Sequence, residues 1–245
     1  GREIALLFAK RQCNLILVGT RVTALEESKA ACVQLGAKKV AVVAGDITKE
    51  DTIAAIAAAL KADGRLDGLV LNAGVGQISA FDDTPETVAD LKRLMDVNLH
   101  ANVRITQVAL QYIKACNGRI LVMSSLSGFL PVPLRTAYCA SKHAVQGFFG
   151  ALRNETGLVI TLVCPSFVKT EFHARAHAGT GAPPERHTGS FMTPEECARQ
   201  SVDAMDAGVH DLVMTTGGKL GRLLLPLFPS FIHSMIRKKA LKTNK

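Results

Sequence analysis

Five short, nearly continuous apolar runs, spaced through the first two thirds of the chain, constrain its fold more than any other feature. They cover residues 14–19, 40–44, 66–71, 119–123 and 158–163. A strand with water on one face alternates apolar and polar residues, whereas a strand covered on both faces does not. Helical patterns fall between the runs. One covers 25–35 and ends at Gly36, and an alanine-rich one covers 49–61. A third runs from Pro85 to about Ala115 as one helix or two, and a fourth covers 136–155. Thr48 is the expected cap of the second, with Asp51 three residues on. Apolar strands alternating with helices predict an α/β chain: a doubly wound parallel sheet between two helical layers, αβα. The 245 residues contain no internal repeat and no linker. The reading is therefore one domain over 1–216, followed by an apolar and basic tail over 217–245.

Within helix 136–155, Tyr138 and Lys142 stand four apart in the run Tyr138-Cys139-Ala140-Ser141-Lys142. Positions i and i+4 share a helix face. A phenol in water titrates near ~10, and a neighbouring ammonium favours the tyrosinate and lowers that value. The pair can act as a general acid/base at a carbonyl or alcohol oxygen. The same spacing also describes two solvated neighbours on a surface helix. Its surroundings favour the chemical reading. Strand 119–123 ends in the hydroxyls of Ser124 and Ser125, Asn98 lies in an amphipathic stretch, and strand 66–71 runs into Asn72-Ala73-Gly74. Taken singly, Ser125 could end a strand, Asn98 could satisfy backbone groups at a helix kink, and Gly74 could be a turn glycine with positive φ.

In this order and at these spacings, the four signatures resemble the short-chain dehydrogenase/reductase family from Gly1 to about Met214. The resemblance implies a Rossmann-like fold and assigns roles. Tyr138 matches the catalytic acid/base, and Lys142 the residue that tunes it and binds the nicotinamide ribose. Ser125 matches the serine that holds the substrate oxygen, with Ser124 as the alternative that the offset disfavours. Asn98 matches the holder of a proton-relay water. Asn72, Ala73 and Gly74 match the turn beside the cofactor, and Asp46 with Ile47 the adenine contact. Pro165, Val168 and Thr170 match the segment at the nicotinamide carboxamide, with Ser166 where the family commonly has glycine. Residues 171–192 match the substrate lid. Phe129, Phe167 and Phe172 fit an apolar pocket or plain core packing equally well.

Cofactor choice rests on the end of strand 14–19. NAD enzymes place a carboxylate there for the ribose 2′-hydroxyl. This chain has Gly19-Thr20-Arg21, and an arginine suits a 2′-phosphate. NADP is therefore favoured over NAD, although the family often carries its arginine at the position of Thr20. Gly1 aligns with the last glycine of the family's glycine-rich turn. The chain is thus expected to be N-terminally incomplete, lacking the first strand and most of that turn. Strands 14–19 and 66–71 would then each lack a central neighbour.

The predicted activity is hydride transfer between NADP(H) and a small carbonyl or alcohol substrate. The alternatives are a non-catalytic NADP-binding sensor or scaffold on the same fold, or an inactive fragment. Composition trims the remaining choices. The formal charge is +8, yet no nucleic-acid motif or aromatic ladder accompanies it. Six scattered cysteines with no Cys-x-x-Cys suit a reducing cytoplasm, and the histidines show no metal-ligand spacing. No stretch reaches the roughly 18–20 apolar residues of a membrane helix. The tail, apolar and then basic, reads as contact with an anionic membrane or as packing on its own subunit or a partner copy. A homo-oligomer through helices near 95–115 and 136–155 is what the resemblance implies.

Overall fold

The computed structural model describes residues 1–82, 87–172, 176–178 and 191–242. Strands β1 (Leu15–Gly19) and β2 (Val40–Ala44) form a parallel pair. Strands β3 (Gly68–Leu71), β5 (Arg119–Met123), β6 (Val159–Cys164) and β8 (Asp211–Val213) form a parallel four-stranded sheet in the order β3-β5-β6-β8. Among the described residues β1 pairs only with β2, and β3 only with β5. The register sets Gly19 beside Ala44, Leu71 beside Val122 and Met123 beside Val163. The carboxyl ends of paired strands therefore line up along one rim.

The lack of alternation in the strands has its expected cause, which is cover on both faces. Ile120, Val122, Ile160 and Leu162 point into one apolar layer. It is built with Ile53, Ile56 and Leu60 of α3 (Glu50–Asp63), Ile105, Ala109 and Ile113 of α5 (Ala101–Ala115), and Val145 and Phe149 of α6 (Thr136–Thr156). Their neighbours Leu121 and Val163 point the other way. They meet Ile4 of α1 (Arg2–Lys10) and Ala198, Val202 and Met205 of α7 (Pro194–Asp206). Successive strand residues face opposite sides, so one run feeds two cores. Helix α2 (Val22–Gln34) joins α1 over β1 and β2 through Cys32, Ala9 and Ala37. Each fully buried large side chain contributes about 1.5–3 kcal/mol, which makes these layers the main source of stability. Helices α3 and α6 end at Gly64 and Gly157 in the left-handed region, where a residue without Cβ is unstrained.

Several expectations shift. The helix read from residue 25 begins at Val22 with Arg21 as its extended N-cap. Residues 66 and 67 lie outside β3, because strand pairing starts at Gly68 with Arg119. Thr48 does not cap α3. Its amide and hydroxyl both bond the Asp46 carboxylate, at 2.9 Å each, and Lys49 takes the N-cap place. The third helical region is broken: α4 (Thr87–Met95) passes through a π-turn at Asp96–His100 into α5. Pro85, read as its start, lies outside the described residues, as does most of the lid expected over 171–192. Four further features lacked a sequence signal. These are α7, β8, the tail helices α8 (Thr216–Leu224) and α9 (Pro229–Lys242), and a two-residue parallel pairing of β4 (Gln77–Ile78) with β7 (His177–Ala178). All six thiols are free, and those of Cys32, Cys139, Cys164 and Cys197 are buried.

Candidate functional site

The π-turn between α4 and α5 carries Asn98 with no exposed surface. One extra residue in a helical turn swings a side chain off the regular path, and such bulges recur at functional sites. Asn98 Oδ1 accepts from the Val75 amide at 2.8 Å, while Nδ2 donates to the Val75 carbonyl at 3.0 Å and to Ser141 Oγ at 2.9 Å. Ser141 Oγ in turn donates to the Tyr138 carbonyl at 2.8 Å. One buried amide thus ties the turn after β3 to the first turns of α6. The Asn98 main-chain carbonyl accepts from Asn102 Nδ2 at 2.8 Å.

Strand β5 delivers the two hydroxyls to different partners. Ser124 Oγ accepts from Gln146 Nε2 at 3.1 Å and is buried. Ser125 Oγ accepts from the Ser127 amide at 3.1 Å, opening the short turn Leu126–Gly128, and lies close enough to the Tyr138 phenol to favour its ionised form. Ser125 thus stands beside the tyrosine, and Ser124 faces away into α6.

Tyr138 and Lys142 are 4% and 3% exposed, so the surface-neighbour reading fails. The ammonium lies 5.9 Å from the centroid of the phenol ring and donates at 2.7 Å to the Met123 carbonyl, at the end of β5. Burial, which penalises the charged form of each, dominates both titrations. It pushes Tyr138 up to about 12, opposed by the Ser125 hydrogen bond and the nearby Arg135 charge. It pulls Lys142 down to about 8. The depressed phenol expected from the i,i+4 spacing is absent, because the ammonium bonds a strand carbonyl and desolvation outweighs its field.

Gly74 stands over this cluster. A Cβ there would lie 3.1 Å from Asn98 Oδ1 and 3.6 Å from Lys142 Nζ. At Gly1 a Cβ would come within 2.8 Å of the Asn72 amide nitrogen. Pro165, after β6, accepts from the Leu126 amide at 3.1 Å, so its segment abuts the Ser125 turn. Val168 bridges to Met192, and the Thr170 amide bonds the Val168 carbonyl at 2.8 Å. Phe172 lies against Tyr138, with ring centroids 5.8 Å apart, and Phe167 lies under the Arg135 guanidinium at 5.5 Å. Phe129 sits elsewhere, under Arg222 at 5.5 Å.

At the other end of the rim, Thr20 is exposed beside Arg21, whose guanidinium lies 3.6 Å from Glu171 with both side chains exposed. Asp46 is held below the usual carboxylate range by the Thr48 amide, and Ile47 beside it is buried. The residues with no sequence signal are Arg135, Gln146 and Asn102, since a lone polar residue in a helix gives no hint of its burial. Ser141 had one, lying between the paired residues on their own turn. Among the described residues, no group of His, Cys, Asp and Glu could hold a metal ion.

A family of sequences described as short chain dehydrogenase matches residues 1–180. A "Dehydrogenase/reductase SDR family protein 7-like" of Dictyostelium discoideum is 33% identical over 100% of this chain and 79% of its own length. An "11-beta-hydroxysteroid dehydrogenase" of Pinus massoniana is 35% identical over 85% of this chain, which spans only 62% of that protein. Among solved structures, a short-chain dehydrogenase of Sphingobium yanoikuyae in complex with NADPH superposes with a TM-score of 0.79. It covers 96% of this chain and 91% of its own at 23% identity.

Proposed function

The chain belongs to the short-chain dehydrogenase family of NAD(P)-dependent oxidoreductases, and on that premise we propose that it exchanges a hydride between NADP(H) and a carbonyl or alcohol group of a small apolar molecule. The observation that carries this reading is the half-buried Ser125 beside the buried Tyr138 and Lys142, at the carboxyl ends of parallel strands, where open α/β sheets collect ligands.

The residues fit such a cofactor. Gly74 leaves open the space beside Lys142 and Asn98 that a Cβ would fill. Arg21, at the N-cap of α2, supplies a cation in a turn with no carboxylate. Its exposed pair with Glu171 is worth about 0–1 kcal/mol, so a dianionic 2′-phosphate would displace it readily. The Sphingobium neighbour holds NADPH. When bound, the nicotinamide supplies or accepts the hydride; the chain's own residues handle the oxygen and the proton.

In the reductive direction Ser125 donates a hydrogen bond to the substrate oxygen and fixes it beside the phenol. Tyr138, protonated across the neutral range, gives its proton to that oxygen as negative charge develops there. Lys142 holds a positive charge one turn away, which stabilises the tyrosinate left behind. Asn98 acts as a positioning residue: its amide is committed to Val75 and Ser141, so it braces the turn over the cofactor and the backbone of Tyr138. A phenol raised to about 12 carries its proton throughout the neutral range, the state that reduction requires. Phe172 and Phe167 line the substrate side with apolar surface, in keeping with relatives named as hydroxysteroid dehydrogenases.

The test is Tyr138→Phe, assayed by NADPH consumption against a panel of ketones and by NADPH fluorescence titration. Turnover is expected to fall by at least about 10²–10⁴-fold, the usual worth of a positioned acid, with cofactor affinity unchanged. Undiminished turnover overturns the assignment.

A further inference from the structure

The tail helices present an apolar face that the fold leaves bare. Helix α8 packs inward through Gly218 and Gly221. A Cβ at Gly218 would lie 2.6 Å from Leu126, and one at Gly221 would lie 3.3 Å from Leu130, so the helix rests on the turn that follows Ser125. Helix α9 packs inward through Ile232, which is 5% exposed. On the outward side stand Leu220, Leu223 and Leu227, then Phe228, Phe231 and Met235, each more than half exposed. Leu220 and Leu223 share one face of α8 and Phe231 and Met235 one face of α9 by their helical spacing, with Leu227 and Phe228 exposed in the turn that joins the two helices. A stripe of this size on a folded chain marks a contact surface.

The charge around it selects the occupant. No Asp or Glu follows Asp211, whereas the same stretch carries seven Lys and Arg. Arg222 is taken up by Asp211 and the Phe129 ring, but Lys219, Arg237 and Lys238 are exposed beside the stripe. In a two-fold dimer this patch would meet its own image, setting cation against cation. An anionic surface has no such cost. Among the described residues no helix is long and apolar enough to cross a membrane, so the segment would lie on a bilayer.

We propose that α8 and α9 dock flat on an anionic lipid bilayer, with Leu220, Leu223, Leu227, Phe228, Phe231 and Met235 entering the headgroup–acyl boundary and Lys219, Arg237 and Lys238 meeting lipid phosphates. The contact holds the turn after Ser125 against the membrane.

The test is flotation of the whole chain with phosphatidylcholine vesicles and with vesicles in which phosphatidylserine is a minority lipid. Binding is expected only to the anionic vesicles and is expected to weaken with salt. Replacing Arg237 and Lys238 with Gln should lower the partition coefficient by about fivefold per charge. Replacing Leu223 and Phe231 with Ser should lower it by more than about tenfold. Sedimentation and circular dichroism on each variant confirm a folded chain of unchanged association state. Equal flotation with neutral and anionic vesicles overturns the proposal, as does unaltered flotation of both variants. Loss of a dimer in the Leu223/Phe231 variant without loss of flotation assigns the stripe to a second copy and also overturns it. These outcomes do not depend on turnover, so they stand apart from the redox reading.

Discussion

The Lys142 ammonium is hydrogen-bonded to the Met123 carbonyl at 2.7 Å, across from helix to strand, and not to the phenol one turn earlier on its own helix. That bond makes the lysine a clamp between α6 and the tip of β5. It also leaves Ser125 as the hydroxyl that favours ionisation of the phenol.

On the proposed mechanism the clamp sets the alkaline limb of the reaction. With Lys142 pulled down to about 8, reductive kcat/KM should be level through neutral pH. It should then fall as pH rises through about 8 and the positive charge beside the departing proton is lost. Lys142→Arg keeps that charge at every accessible pH. Its activity is expected to be lower, but the limb near 8 should vanish from the pH–rate profile. A limb that stays in place assigns the titration to another group.

Stability carries the same signature with a definite sign. The unfolded lysine titrates near 10.5 and the folded one near 8, so between those values the unfolded chain binds more protons. Stability therefore rises with pH across that window. Tyr138, raised from 10.0 to about 12, acts in the opposite sense above 10. Urea midpoints of the parent relative to Lys142→Met should climb from pH 8 towards 10; a flat difference contradicts the burial of the ammonium as a cation.

Asn98→Ala removes a buried amide that makes three hydrogen bonds. It leaves the Val75 amide and carbonyl without that partner, at about 1–3 kcal/mol for each group left unsatisfied. The denaturation midpoint should drop accordingly, and activity should fall because the Tyr138 turn loses its brace. Retained stability would mean that water replaces the amide.

Arg21→Asp should raise the Kd for NADPH by about tenfold or more and leave that for NADH level or lower, since the added carboxylate repels a 2′-phosphate and accepts from a 2′-hydroxyl. Parallel fluorescence titrations of the two cofactors read the ratio directly. Equal weakening of both would place Arg21 outside the cofactor contact.

Gly128→Ala would put a Cβ 2.9 Å from Ser124 Oγ and 3.0 Å from the Lys142 carbonyl. Overpacking against backbone costs about 1–3 kcal/mol, and here the displaced element is the turn that carries Ser125. Both the thermal midpoint and kcat should fall; a silent substitution would show that this turn yields freely.

The layers of the fold were legible because the cause is periodic. Ile120, Leu121 and Val122 are all apolar because successive residues enter different cores. The four short signatures named residues that the fold brings together, since Asn98 bonds Ser141 beside Tyr138 and Lys142 bonds the end of β5. What stayed hidden depends on partners distant in sequence. The strand Asp211–Val213 is three residues long and is defined by pairing with β6, which no local pattern encodes. Thr48 has every property of a helix cap, yet it was recruited by Asp46. The tyrosine titration went opposite to the expectation because the spacing gives the neighbour but not the depth of burial.

The distribution of the thiols has a practical outcome. Cys32, Cys139, Cys164 and Cys197 are buried, and burial raises the titration point of each, so they stay protonated and sluggish towards alkylating reagents. Cys13 and Cys116 are the accessible pair, lying after α1 and α5. Maleimide dyes should therefore attach there first, labelling the chain at two points away from Cys139 and its neighbour Tyr138.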